Sequence, residues 1–182
     1  MDLKRLENSI IDNITEAQLK LGYDKLPLTL NYMISTLGHL LGTEPEDEKV
    51  IPRLEAFSAY AEDRLGPVTF RKIKGGFALT IPAKGTEYVH SHPENKEFIS
   101  EFIKKVSEHG ITLESVISIF QKYSENVTVS SSGCEDFDTL VYFTDGFPDD
   151  YRYCLSLEPC ISGGYHISYH RFIPEDYNDF GF

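Results

Sequence analysis

Apolar residues recur every three or four positions at Leu3, Leu6, Ile10, Ile14, Ala17 and Leu21. That spacing gathers them into one stripe along a helix, and Gly22 supplies a stop. A second helix is expected to open at Pro27 and to carry Leu30, Ile34, Leu37 and Leu41 as its stripe up to Gly42. Thr43 to Glu46, "TEPE", has the Thr-x-x-Glu form of a capping box with an acidic first turn. A third helix should follow, with Ile51, Leu54, Phe57, Ala61 and Leu65 on one face and Gly66 at its end. Pro52 should break or kink its start, because proline lacks the N–H that a helix interior needs.

The period then changes. "PVTFRKIKGGFALTIP", residues 67–82, alternates around Gly75-Gly76 and reads as a hairpin with a two-residue turn. "TEYVHS" reads as a third short strand. Residues 94–109 return to helical spacing, with Phe98, Ile99, Phe102, Ile103 and Val106 on one stripe and Gly110 as the stop. Thr112 should cap the next helix, whose buried face is Leu113, Val116, Ile117 and Phe120. The last third is strand-like: "NVTVSS", "DTLVYF", "YRYCLSL" and "YHISYHRF", separated by turn-rich segments.

This order implies an α+β fold with N-terminal helices, a β-hairpin, a central pair of helices and a C-terminal, mainly antiparallel sheet. A single domain over residues 1–182 is expected, with the helical residues 1–66 as a cap on the α+β residues 67–182.

Charge narrows the partners. Lys plus Arg total 17 and Asp plus Glu 29, a net charge of −12. Such a field repels phosphate backbones and anionic lipid and favours a basic protein partner. Neither nucleic acid nor membrane is therefore expected as a partner. Cys134, Cys154 and Cys160 are odd in number and match no zinc-knuckle or C-x-x-C spacing, which fits the reduced cytoplasm. The N-terminal run has no continuous apolar segment of the signal-peptide kind, and no stretch approaches the ~20 apolar residues of a membrane span.

One segment suggests metal chemistry. In a strand, residues two apart share a face at about 6.5–7 Å, so His90 and His92 of "VHSHPENKEFIS" could turn two imidazoles toward one zinc ion. His90, His92, Pro93 and Ser100 resemble the His-x-His-Pro…Ser signature of JAMM-type zinc isopeptidases. That resemblance implies an Asp ligand three residues after the serine and an upstream Glu base. Ile103 occupies the Asp position, and the hairpin 67–82 contains no carboxylate. Glu97 and Glu101 are substitute ligands outside the family position. The same residues also read as a strand end followed by a helix start, with Pro93 at the first helical position and Glu94 and Glu97 complementing the positive helix end. That reading needs no cofactor.

Other groupings are less specific. His166, Ser168 and His170 should share a strand face, with Cys154 on a similar alternating strand. No glycine-flanked nucleophile elbow accompanies them. "FIKKVSEHGITLESVISIF" has a helix-turn-helix outline, but its second helix lacks a basic footprint. Acidic clusters interleaved with aromatics compose a contact surface for a basic partner, formed by Asp149, Asp150, Tyr151, Asp176, Tyr177 and Phe180. The alternative folds Tyr177, Phe180 and Phe182 back onto the domain.

The runs "FALTIPAKGTEYVHSHPENKEFISEFIKKVSEHGITLESV", "DFDTLVYFTDG" and "YHRFIPEDYNDFGF" extend over much of the chain. Through them nearly the whole chain resembles a bacterial domain-of-unknown-function family of small acidic proteins. It implies a self-contained intracellular domain and brings no catalytic residues. The expected function is a cytoplasmic, non-enzymatic binding or regulatory domain with an acidic, aromatic-bearing surface, of which a toxin-neutralising or adaptor role is one form. The alternative is a metal-dependent hydrolase centred on His90 and His92.

Overall fold

The computed structural model describes residues 3–92, 97–133, 135–148, 150–161 and 163–173. The chain forms two compact units, Met1–Glu94 and Asn95–Phe182. Its fold is α+β, and both sheets are antiparallel.

The first unit runs α1 (Lys4–Leu21), β1 (Leu28–Met33), α2 (Ile34–Leu41), α3 (Asp47–Leu65), β2 (Thr69–Ile73), β3 (Gly76–Ile81) and α4 (Ala83–Ser91). The stripe of α1 buries Leu3, Leu6, Ile10 and Ile14 as its spacing requires, but Leu21 is 86% exposed. The stripe of α3 buries Leu54, Phe57, Ala61 and Leu65. Its helix runs through Pro52, while its cap position is Glu46 without a side-chain hydrogen bond, so the expected Thr43 capping box does not form. Asp47 and Glu48 in the first turn complement the helix dipole instead.

Two expectations are corrected here. Residues 28–33 are a strand rather than the start of a helix. Leu28, Leu30 and Tyr32 alternate toward the interior, and β1 pairs along its length with the central strand β3 in the order β1-β3-β2. Helix begins only at Ile34. Residues 86–91 are helical rather than a strand: α4 buries Gly85, Thr86 and Val89, a helical spacing. Thr86 accepts at its carbonyl from Gln18 Nε2 (2.8 Å) and donates through Oγ1 to Leu26 O (3.0 Å), which ties α4 to α1 and the β1 approach.

The hairpin turn is Lys74-Gly75, because Gly76 already pairs with Ile73. Gly76 is required for a steric reason: a Cβ there would stand 1.9 Å from the carbonyl oxygen of Tyr32. Glu7 of α1 is buried beside Arg64 and Tyr60 of α3; the sequence pattern did not mark it, because it sits next to Leu6 on the apolar side.

The second unit runs α5 (Glu97–Val106), α6 (Leu113–Tyr123), β4 (Val127–Ser131), β5 (Thr139–Phe143), β6 (Arg152–Pro159) and β7 (Tyr165–Phe172). Thr112 caps α6, its Oγ1 accepting from Ser115 N at 3.3 Å. The four strands form a meander in chain order. Register places Val141, Phe143, Tyr153, Leu155 and Tyr169 on one face. Phe98, Phe102 and Phe120 from the helical pair meet that face, with Phe102 and Phe120 edge-on to Tyr153 at 4.8 and 5.1 Å. Edge-to-face packing of this kind adds specificity to plain burial. Ile103 lies in this core at 2% exposure, beside Phe98, Phe102 and Val106, which are also buried.

Candidate functional site

The geometry around the two histidines differs from the strand expectation. His90 belongs to α4 and His92 is its C-cap. Helical residues two apart point to different sides, so the strand face they were to share does not exist. The His90 ring stacks on Tyr23 at 3.9 Å, and the His92 ring stacks on Tyr88 at 4.3 Å. Nδ1 of His92 also lies 2.9 Å from Tyr88 O. Each imidazole is thus engaged with its own aromatic neighbour.

The substitute ligands are engaged too. Glu101 accepts from Lys122 Nζ (2.6 Å) and Tyr123 OH (2.8 Å). Lys122 and Tyr123 hold its carboxyl below the ordinary range, while burial, and then Glu101, push the Tyr123 phenol up to about 12. Pro93 and Glu94 lie outside the described residues, and Glu97 is exposed at the start of α5. Among the described residues no group of three His, Cys, Asp or Glu side chains is placed to hold a metal ion.

Of the acidic, aromatic surface, Asp149, Asp176, Tyr177, Phe180 and Phe182 lie outside the described residues. Asp150 is exposed, and Tyr151 is half-buried with the Arg171 guanidinium 4.4 Å from its ring centre. The same β5–β6 connection presents a residue that the sequence did not single out. Phe147 is 70% exposed.

Its loop is tied down locally. Gly146 N donates to Phe143 O (3.2 Å), and Phe147 N donates to Asp145 Oδ1 (3.2 Å). Asn126 Nδ2 donates to Asp145 Oδ2 (2.9 Å), while Thr144 N donates to Asn126 O (2.9 Å). The Asn126 amide and the Phe147 N–H hold the Asp145 carboxyl below its ordinary range. Asp150 folds close to Gly146, its Cβ 3.6 Å from where a Cβ on that glycine would lie. The result is an aromatic ring presented on a hydrogen-bonded loop between two carboxylates. "DGFPDD" contains the signal, an aromatic placed inside a turn sequence and flanked by acid, but turn chemistry alone does not say which way the ring points.

On the sheet, His166, Ser168 and His170 do share a face, opposite the helical pair, and their direct partners across the ladder are Glu158, Ser156 and Cys154. Cys154 is fully buried with Leu140 and Phe172, which makes it a packing residue. Nearer the hairpin turn, half-buried Cys160 places Sγ 3.3 Å from Nδ1 of His166. The sequence pattern could not pair them, because the contact depends on strand register.

A family model matches residues 3–181 and is described as a domain of unknown function, E. rectale gene description (DUF3877). The chain belongs to the DUF3877 family. E. rectale is a bacterium, so the DUF3877 match agrees with the bacterial domain-of-unknown-function resemblance read from the sequence. The DUF3877 description names no activity and gives the partial JAMM-type signature no support. No curated protein and no solved structure matches the chain. Among the described residues, no helix is long and apolar enough to cross a membrane.

Proposed function

We propose that this chain is a non-enzymatic binding domain that captures a basic protein partner in the cytoplasm, with the β5–β6 loop as its contact. The observation that carries the reading is Phe147, 70% exposed on a loop braced by Asp145 and Asn126. A large exposed ring normally loses rotational freedom when it binds; a loop already fixed by its own hydrogen bonds lowers that cost. Aromatic anchors ringed by polar groups are the usual composition of an interface hot spot. Asp145 and Asp150 supply the sign of charge that attracts Lys and Arg, and the net charge of −12 adds long-range steering toward a cationic surface. The same charge opposes nucleic acid and anionic membranes. The odd number of cysteines, Cys134, Cys154 and Cys160, suits a reducing compartment.

The test is a quantitative pull-down from the native bacterial cytoplasm with three baits: wild type, Phe147→Ala and Asp150→Asn. A basic protein enriched on wild type should fall by about tenfold or more with Phe147→Ala, as for hot-spot truncation. Its association should slow with Asp150→Asn and with added salt. A partner retained equally by all three baits, or an acidic one, would refute the assignment.

A further inference from the structure

The β6–β7 hairpin holds a thiol, an imidazole and a carboxylate in series. Cys160 Sγ is 3.3 Å from Nδ1 of His166, and the opposite ring nitrogen, Nε2, is 3.6 Å from Oε2 of Glu158. Backbone pairing sets this arrangement. Glu158 and His166 are direct cross-strand partners. Cys160 N donates to Gly164 O (2.9 Å) and Gly163 N donates to Cys160 O (3.0 Å), which closes the turn and keeps the thiol beside Nδ1 of the ring. Ser156 Oγ lies 3.3 Å from Glu158 Oε1 and braces the carboxylate from behind. Cys160 and His166 are both half-buried, so a small reagent can reach the sulfur. Nucleophile, base and a third group that orients the base form the arrangement that activates weak nucleophiles.

We propose that Cys160 is a nucleophilic thiol that reacts with hydroperoxides, with His166 as its base and Glu158 as the positioning residue. The neutral imidazole keeps its N–H on Nε2, toward Glu158, and leaves Nδ1 open to the thiol. Nδ1 takes the thiol proton. The thiolate attacks the outer oxygen of the hydroperoxide, the O–O bond breaks, and its electron pair leaves with the alkoxide or hydroxide. His166 returns the proton to that oxygen. One thiol and one hydroperoxide thus become one sulfenic acid and one alcohol or water. While His166 is cationic, the Glu158 carboxylate stands at ion-pair distance and offsets the charge. Buried Cys154 is excluded from this chemistry by access.

The test uses the full chain with Cys134→Ser and hydrogen peroxide as the probe. Sulfenic acid is trapped with dimedone and located by mass spectrometry. Cys160 should be labelled, and His166→Gln should slow labelling by about tenfold or more. Glu158→Gln should also slow it, and Glu158→Asp should recover most of the rate, which a packing role alone would not produce. A second measurement needs no variant at His166: iodoacetamide should alkylate Cys160 faster in the folded chain than in the urea-unfolded chain. Equal or slower alkylation on folding would overturn the proposal. Fast alkylation without a dimedone adduct would overturn hydroperoxide as the reactant.

Discussion

Arg64 Nε lies 2.9 Å from Oε1 of Glu7, a residue only 1% exposed, but off the line of an aligned hydrogen bond. Tyr60 OH donates to the other carboxylate oxygen at 3.4 Å. Glu7 is thus charge-compensated from one side and incompletely hydrogen-bonded, and burial pushes its carboxyl above the ordinary range in spite of Arg64.

A raised carboxyl pKa means that the folded state holds the proton more tightly than the unfolded state. Its stabilising contribution is complete below the unfolded value and is lost as pH rises through the folded one. Glu7→Gln should therefore gain stability relative to wild type as pH goes from acid to neutral. Arg64→Met should cost about 2 kcal/mol at neutral pH, below the range for a fully buried pair because the Arg64 side chain is 39% exposed. Urea denaturation across a pH series reads both; a Glu7→Gln difference that stays flat with pH would contradict the buried-carboxyl account.

Ile103 occupies the core beneath the strand meander at 2% exposure. Ile103→Asp would place an unpaired carboxylate there and should destabilise the second unit by about 3–5 kcal/mol, read as a lower urea midpoint. An Ile103→Asp variant that folds normally and gains zinc would instead mark the segment as a degenerate metal site.

Zinc should be well below stoichiometric in protein purified without chelator or affinity tag, because His90 and His92 project from different sides of the α4 terminus and each stacks on a tyrosine. Elemental analysis decides it. Stoichiometric zinc that disappears in His90→Ala would reverse the conclusion.

Gly76 faces the backbone of β1 too closely for any side chain, with 1.9 Å between a would-be Cβ and Tyr32 O. Gly76→Ala should cost about 2 kcal/mol or more, through displacement of β1 from β3. Gly133→Ala is the comparison for backbone strain without a clash: its φ is +74°, in the left-handed region that Gly76 does not occupy, and nothing stands within 4 Å of its would-be Cβ. A thermal melt in which Gly76→Ala loses no more than Gly133→Ala would show that the contact relaxes freely.

Long periodic segments of this fold were legible in the sequence. The stripes of α1, α3 and α5 and the four strands of the second unit follow directly from spacing. Residues 28–41 were not, because Leu30, Ile34, Leu37 and Leu41 satisfy helical spacing while Leu28, Leu30 and Tyr32 alternate. Pairing with β3, a long-range contact, decides between the two patterns. Residues 86–91 misled because Tyr88 and Val89 favour strands locally. A would-be Cβ on Gly85 would stand 2.6 Å from Leu65 O, a close approach visible only in three dimensions. The same limit applies to function. Phe147 sits in a turn whose sequence does not give its orientation, and Cys160, His166 and Glu158 converge only through the β6–β7 register.

That register also divides one hairpin into two regimes of local opening. Pairing with β5 ends at Leu155, so β6 from Ser156 to Pro159 has β7 as its only strand neighbour among the described residues. Two-stranded ribbon is marginal by itself. Amide hydrogen exchange should therefore be slow at Tyr153, Cys154 and Leu155 and become faster at Leu157 and Glu158 along the same strand. The thiol of Cys160 rides on the end that opens first, so the hairpin can expose or withdraw it without unfolding the sheet to which it is anchored.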